Sequence, residues 1–330
     1  MAEAVTDLGH WEGRDVHVPD VLVALERLRR SGERTATRTS VVTLVAVAED
    51  AEAGRAACDA MHVLGGRHPG RTIVLVMDPG AAPREGPWLD AEVHLHPAEA
   101  EGVNVWSEDV ILSVRGSAQR HLDSVVEPLA LPDLPLALWY VSSEPRPGDP
   151  LVDAADVVLV DSKELGGVTA YPDILQLARR RTVSDLSWVR LTPWRLVLGS
   201  LFEGQAYRPF VHGVHAAVVR GKPGPRHLLA GWLISQLDLP RRFLHLEDAR
   251  HAAVHLAAEH EGRHGEFRAD RADGARLVRA SASVDGGPHH EELRPLPDTS
   301  LAWSLARALS VLDRDPVYEE ALAGALELAA

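Results

Sequence analysis

This sequence predicts an α/β fold: an N-terminal, largely parallel sheet with flanking helices, then a C-terminal α+β domain with antiparallel strands and closing helices. Three observations carry that expectation. The runs "SVVTLVAVA" (40–48) and "RTIVLVM" (71–77) are short, apolar and β-branched, the kind a parallel sheet buries on both faces. Between them "DAEAGRAACDAMHVLGG" (50–66) opens on an acidic cap and stops at a glycine pair, which marks a helix. Beyond residue 181 the pattern changes to amphipathic helices and a hairpin signal, so the sheet type changes with it.

Strand, helix and strand within about 40 residues make a βαβ unit with a right-handed crossover. Ahead of it, "VPDVLVALERLRR" (18–30) sets Val21, Leu22, Leu25 and Leu28 at helical spacing, inside an extension spanning residues 1–35. After it, "AEVHLHP" (91–97) and "VNVWSEDVILSV" (103–114) read as strands and "AQRHLDSVVEPL" (118–129) as a helix. The strands "LPLALWYV" (134–141) and "ADVVLVDS" (155–162) complete an α/β domain over residues 36–182. In the second domain, residues 183–330, Thr192 caps a helix with Pro193 at its first position. "PRHLLAGWLISQLDLP" (225–240) is a helix ended by Pro240, and residues 241–284 read as antiparallel strands with an Asp273–Gly274 turn. "GGPHHEELRPLPD" (286–298) reads as a connector before two closing helices in 300–313 and 315–328.

The composition narrows the function. Lys plus Arg (34) against Asp plus Glu (48) gives a net charge of −14, the wrong sign for nucleic acid or an anionic membrane. One cysteine, Cys58, supports neither an internal disulfide nor a thiolate metal site, which suits a reducing compartment. The acidic start lacks a signal-peptide layout, and no apolar run approaches the roughly 20 residues of a membrane helix, so a cytoplasmic protein is expected.

Catalytic and cofactor patterns are wanting. Neither G-x-G-x-x-G nor G-x-x-x-x-G-K-[ST] occurs, and the strand ends carry Glu49, Asp50, Asp78, Glu144 and Asp161, an acidic crest that repels phosphate. His68 and Arg71 in "GGRHPGRTI" could hold an anion, but they lie at the strand-start edge, where a tight helix–strand turn is the plainer reading. The pairs His251 and His255, His260 and His264, and His289 and His290 lack a metalloprotease spacing, so no metal is expected there. No catalytic residue and no cofactor is expected.

Tryptophan does stand out, with eight against four each of Tyr and Phe. Core packing explains a buried tryptophan; anchoring of a protein partner explains one set beside arginine. "DLSWVRLTPWR" (185–195) holds Trp188, Arg190, Trp194 and Arg195, and "LPDLPLALWY" (131–140) holds Asp133, Trp139 and Tyr140. These seven are the candidate partner interface.

Several segments, in order, resemble the glucose-6-phosphate dehydrogenase assembly proteins of actinobacteria and cyanobacteria. They are "RTSVVTLVAVAED", "RHPGRTIVLV", "EPLALPDLPLALWY", "ADVVLVDS", "DLSWVRLTPWR", "HLLAGWLISQL" and "LARALSVLDRDPVYEEAL". The resemblance implies a non-catalytic partner that binds glucose-6-phosphate dehydrogenase and promotes its active oligomer, with the NADP site on the dehydrogenase. An enzyme acting on a sugar phosphate and a metabolite sensor of the same pathway are the alternatives. Gly70 stands where the family more often has serine, and Tyr140 where it more often has tryptophan. A lone Cys58 leaves no basis for the cysteine-linked control implied for cyanobacterial members.

Overall fold

The computed structural model describes residues 9–32, 40–64, 70–77, 87–100, 103–141, 143–145, 148–271, 276–297 and 299–329. The chain forms two compact units: Met1–Asp161 with Arg181–Ser184 and Ser300–Asp313, and Ser162–Arg180 with Asp185–Thr299 and Arg314–Ala330. In chain order the elements are β1 (Gly9–Val16), α1 (Val18–Gly32), β2 (Val42–Ala48), α2 (Ala51–Leu64), β3 (Gly70–Met77), β4 (Pro87–Ala100) and β5 (Val103–Gly116). Next come α3 (Leu122–Val126), β6 (Leu136–Tyr140), α4 (Pro150–Ala154), β7 (Val157–Val160), α5 (Tyr171–Ala178), β8 (Val183–Asp185), α6 (Leu186–Arg190) and α7 (Thr192–Ser200). The chain continues through β9 (Val214–Gly221), α8 (Pro225–Leu237), β10 (Leu244–Asp248), β11 (Ala253–His260), β12 (Arg263–Arg271), β13 (Leu277–Val284), β14 (His289–Pro295), α9 (Leu301–Leu309) and α10 (Pro316–Ala329).

The first sheet runs β1-β4-β5-β3-β2-β6-β7-β8. Its middle is parallel: β3 and β6 flank β2, β5 lies beyond β3, and β7 beyond β6. Every residue of β2, β6 and β7 is buried, which is why these strands read as unbroken apolar runs. The lead-in to β6 keeps Pro132 and Pro135 outside the strand, so no ladder donor is lost. Instead the Pro135 carbonyl accepts from Thr43 N at 2.9 Å, and Leu136 N donates to Asp156 Oδ2 at 2.8 Å. Asp133 turns the chain there at φ 62°, a left-handed conformation that aspartate tolerates better than most residues.

Two features of this unit depart from the sequence reading. The N-terminal extension contributes a strand as well as its helix, with β1 antiparallel to β4. The helix expected over 118–129 is only α3, after a 3-10 turn at Ser117–Arg120. Pro128, which lacks the N–H a longer helix would need, follows it closely. The turn at 65–69, with His68, and the crest residue Asp78 lie outside the described residues.

In the second unit the order is β10-β9-β11-β12-β13-β14. The strands from β11 to β14 are an antiparallel meander, and β11, β12 and β13 alternate buried with open positions as a one-faced sheet requires. The expected Asp273–Gly274 turn lies outside the described residues. Two expectations are corrected. β10 pairs parallel to β9, because α8 lies between them as a crossover rather than a hairpin turn. The connector at 286–298 contains a strand, β14, whose side chains are nearly all exposed and so carry no apolar signature. α8 packs on α10 so closely that a Cβ on Gly231 would meet the Ala321 carbonyl oxygen at 2.0 Å.

Candidate functional site

The chain reverses its direction of travel across the first sheet at β2, moving out through β3 to β5 and returning to β6 on the other side. In open parallel sheets the crevice at such a point, beyond the carboxyl ends of the strands, is the usual ligand site. A cavity of about 280 Å³ opens there, lined by Val47 of β2, Glu49 just after it, Met77 of β3, Tyr140 of β6, and Arg120, Glu144 and Asp149 among others. Asp149 organises one wall: its Oδ2 accepts from the Tyr140 hydroxyl at 2.6 Å, and its Oδ1 accepts from Leu151 N at 2.9 Å to cap α4.

A phosphate fits this crest poorly. Glu49, Glu144 and Asp149 present carboxylates to the cavity against the single guanidinium of Arg120. The α2 amides that would otherwise bind an anion are already engaged, since Asp50 Oδ1 accepts from Glu52 N at 2.9 Å and Ala53 N at 2.8 Å. Arg71, the other candidate anion ligand, is 4 % exposed and turned inward. Its Nε and Nη2 donate to Glu108 Oε2 at 2.8 and 2.7 Å, and Nη1 donates to the Leu129 carbonyl. Arg29 completes that network, donating from Nε to Glu108 Oε1 and from Nη2 to Oε2 at 2.9 Å.

The segment 185–195 builds a clasp in the second unit. Asp185, fully buried, accepts at Oδ1 from Ser162 N (3.0 Å) and Ser187 N (2.9 Å), and at Oδ2 from the Tyr318 hydroxyl (3.0 Å). The Ser187 bond caps α6, the Ser162 bond ties Asp185 to the residue that follows Asp161, and the third brings in α10. Trp188 Nε1 donates to Asp315 Oδ2 at 2.8 Å, while Asp315 Oδ1 accepts from Tyr318 N at 3.0 Å and starts α10. The Arg195 guanidinium lies 3.5 Å over the Trp188 ring, a cation–π contact, and donates from Nη2 to the Thr192 hydroxyl at 2.9 Å. Thr192 is therefore not the expected helix cap: its side chain accepts from the following turn, and no side chain caps α7.

Burial sets the ionisation of this clasp. It pushes the Tyr318 phenol well above its ordinary range, with Asp185 adding to the effect, and it pushes Tyr171 up in the same way. Burial also draws Arg195 down to about 10, against the opposing pull of Asp315. Cys58 on α2 is half-buried and pushed up to about 11, first by burial, so its thiol stays protonated at neutral pH.

The seven candidate interface residues divide by exposure. Trp139, Tyr140, Trp188 and Trp194 are buried, at 1, 3, 4 and 7 %. Arg190 and Arg195 are half-buried, and Asp133 is exposed. On α7 the sequence reading passed over Leu196, which is 66 % exposed between Arg195 and the buried Val197. Its signal is a leucine off the apolar face that Trp194, Val197 and Leu198 define. The later histidines lie on strands or turns, and among the described residues none joins a three-ligand group; that arrangement forms at His10, Glu92 and His94 instead.

Among the described residues no helix is long and apolar enough to cross a membrane. No curated protein matches the chain. Among solved structures, a crystal structure of an oxidoreductase from Sinorhizobium meliloti is 12 % identical, covering 88 % of this chain and 96 % of its own. Its TM-score of 0.40 is too low to carry an argument about fold or activity. Two family models match in succession: the glucose-6-phosphate dehydrogenase subunit N-terminal domain over residues 62–179 and the C-terminal domain of the same subunit over 181–322. By these matches, which together span most of its length, the chain belongs to the glucose-6-phosphate dehydrogenase assembly protein family.

Proposed function

We propose that this protein is a non-catalytic, cytoplasmic subunit that binds glucose-6-phosphate dehydrogenase and promotes its active oligomer, in the oxidative pentose phosphate pathway. The observation that carries the reading is the match of both subunit domains, in order, over residues 62–179 and 181–322. The chemistry of the chain supports it. At the crest cavity the carboxylates of Glu49, Glu144 and Asp149 and the self-capped α2 suit neither NADP nor a sugar phosphate, so the hydride step belongs to the partner.

The contact proposed is α6 and α7. Trp188 and Trp194 form its buried frame, and Arg190, Arg195 and Leu196 form the part a partner reaches. Trp139, Tyr140 and the Asp133 turn are a second proposed contact, in which the exposed turn meets the partner and the aromatic pair holds the strand behind it. The test is co-migration of this chain with the dehydrogenase of the same organism, followed together with NADP reduction. Separate migration with unchanged activity would overturn the reading.

A further inference from the structure

On β4, Glu92, His94 and His96 occupy alternate positions and so project from one face of the sheet. β1 runs antiparallel beside it and sets His10 directly opposite His94, where the two imidazoles stack with centroids 4.6 Å apart. A ring nitrogen of His10, a ring nitrogen of His94 and a carboxylate oxygen of Glu92 all lie within 4.8 Å of one another. We propose that these three side chains form a binding site for a late first-row divalent metal, with zinc as the reference ion.

The donor set is the first argument. Two imidazoles and one carboxylate suit zinc and its neighbours, and do not suit the oxygen-seeking magnesium and calcium. Geometry is the second. Metal bonds of about 2.0–2.1 Å in a tetrahedron place ligand atoms about 3.4 Å apart. Reaching that spacing needs only side-chain rotation of His10 and Glu92, which are exposed, around the half-buried His94. Such a site keeps its fourth position for water.

The surroundings are the third. On the far side of β4, β5 sets Asp109 opposite His94, and Asp109 Oδ2 lies 3.2 Å from His96 Nε2. His96 stacks on His94 at 5.7 Å and meets His62 of α2 edge-on at 5.3 Å. His96 is not one of the three donors; Asp109 fixes it, and its ring in turn braces that of His94, so Asp109 acts on the site through a ring contact. Because the ligands come from two strands, a bound ion would pin the edge strand β1 to β4.

The test uses the full chain, stripped with a chelator and titrated with zinc chloride by calorimetry, then with cobalt chloride by visible absorption. The expected result is one ion per chain, a tetrahedral cobalt spectrum, and a rise in the thermal midpoint. His10→Ala and Glu92→Gln change exposed side chains, so the fold is kept, and each weakens zinc at least about tenfold. Asp109→Asn, a positioning change, weakens it less, and the pair His289→Ala and His290→Ala leaves it unchanged. Failure to bind zinc, or equal binding by a folded His10→Ala, His94→Ala double variant, would overturn the proposal; in the second case the ion sits on other histidines.

Discussion

Each compact unit closes around a buried polar centre, and the two are made differently. In the first, Glu108 is 4 % exposed and takes guanidinium donors from Arg71 and Arg29, so charge is balanced by charge across β3, β5 and α1. In the second, Asp185 is fully buried, and its partners include two backbone amides and a phenol, all neutral donors. An ionic centre tolerates little loss of either partner, because the survivor is a bare charge in the interior. A centre of neutral donors spreads the same task over several weaker bonds, and ties its stability to the protonation of a tyrosine.

The largest expected effect separates the two directly. Glu108→Ala leaves Arg71 buried without its carboxylate and lowers stability by about 3–5 kcal/mol, read by urea denaturation. Asp185→Asn keeps an acceptor for part of its network and costs less, about 2–3 kcal/mol. Equal losses would erase the distinction. Alkaline pH probes it from the other side. The phenols of Tyr171 and Tyr318 are raised in the folded chain, so above about pH 10 the unfolded chain sheds protons that the folded one keeps. Stability is whole below that pH and falls above it by about 1.4 kcal/mol per pH unit for each tyrosine, and Tyr318→Phe removes its share of the slope.

The tryptophans sharpen the contrast at smaller scale. Trp188 donates to a carboxylate, and Trp188→Phe costs about 2 kcal/mol through that bond. Trp139 Nε1 is buried with no acceptor in reach among the described residues, so Trp139→Phe gives up ring volume but no hydrogen bond and costs about 1 kcal/mol or less. A reversed order, measured side by side, would place an unseen acceptor at Trp139. Leu196→Asp touches neither centre, being 66 % exposed on α7, and leaves the melting curve in place. It is expected to weaken the complex with the dehydrogenase about tenfold, near 1.4 kcal/mol.

What the sequence made legible follows from burial. β2, β6 and β7 were readable because strands covered on both faces must be apolar throughout. β1 and β14 were not, because edge strands such as "GHWEGRDV" and "HHEELRP" are largely polar with no buried residue and resemble loops. The acidic crest was visible from Glu49 and Glu144 at the strand ends, while Asp149 entered the cavity only through its bond to Tyr140. The aromatic segments were visible as unusual, yet their partners, Asp315 and Tyr318, lie more than a hundred residues away, and no local pattern announces them. His10 and Glu92 become neighbours only through the register of β1 on β4, which separation in sequence conceals.

The central claim is tested most directly by mixing the purified chain with its organism's glucose-6-phosphate dehydrogenase at micromolar concentrations. NADP reduction and the mass of the eluting species are followed together. The expected result is a co-migrating complex, a larger dehydrogenase oligomer and faster turnover, with no NADP reduction by this chain alone. Two separate species with unchanged activity would contradict it.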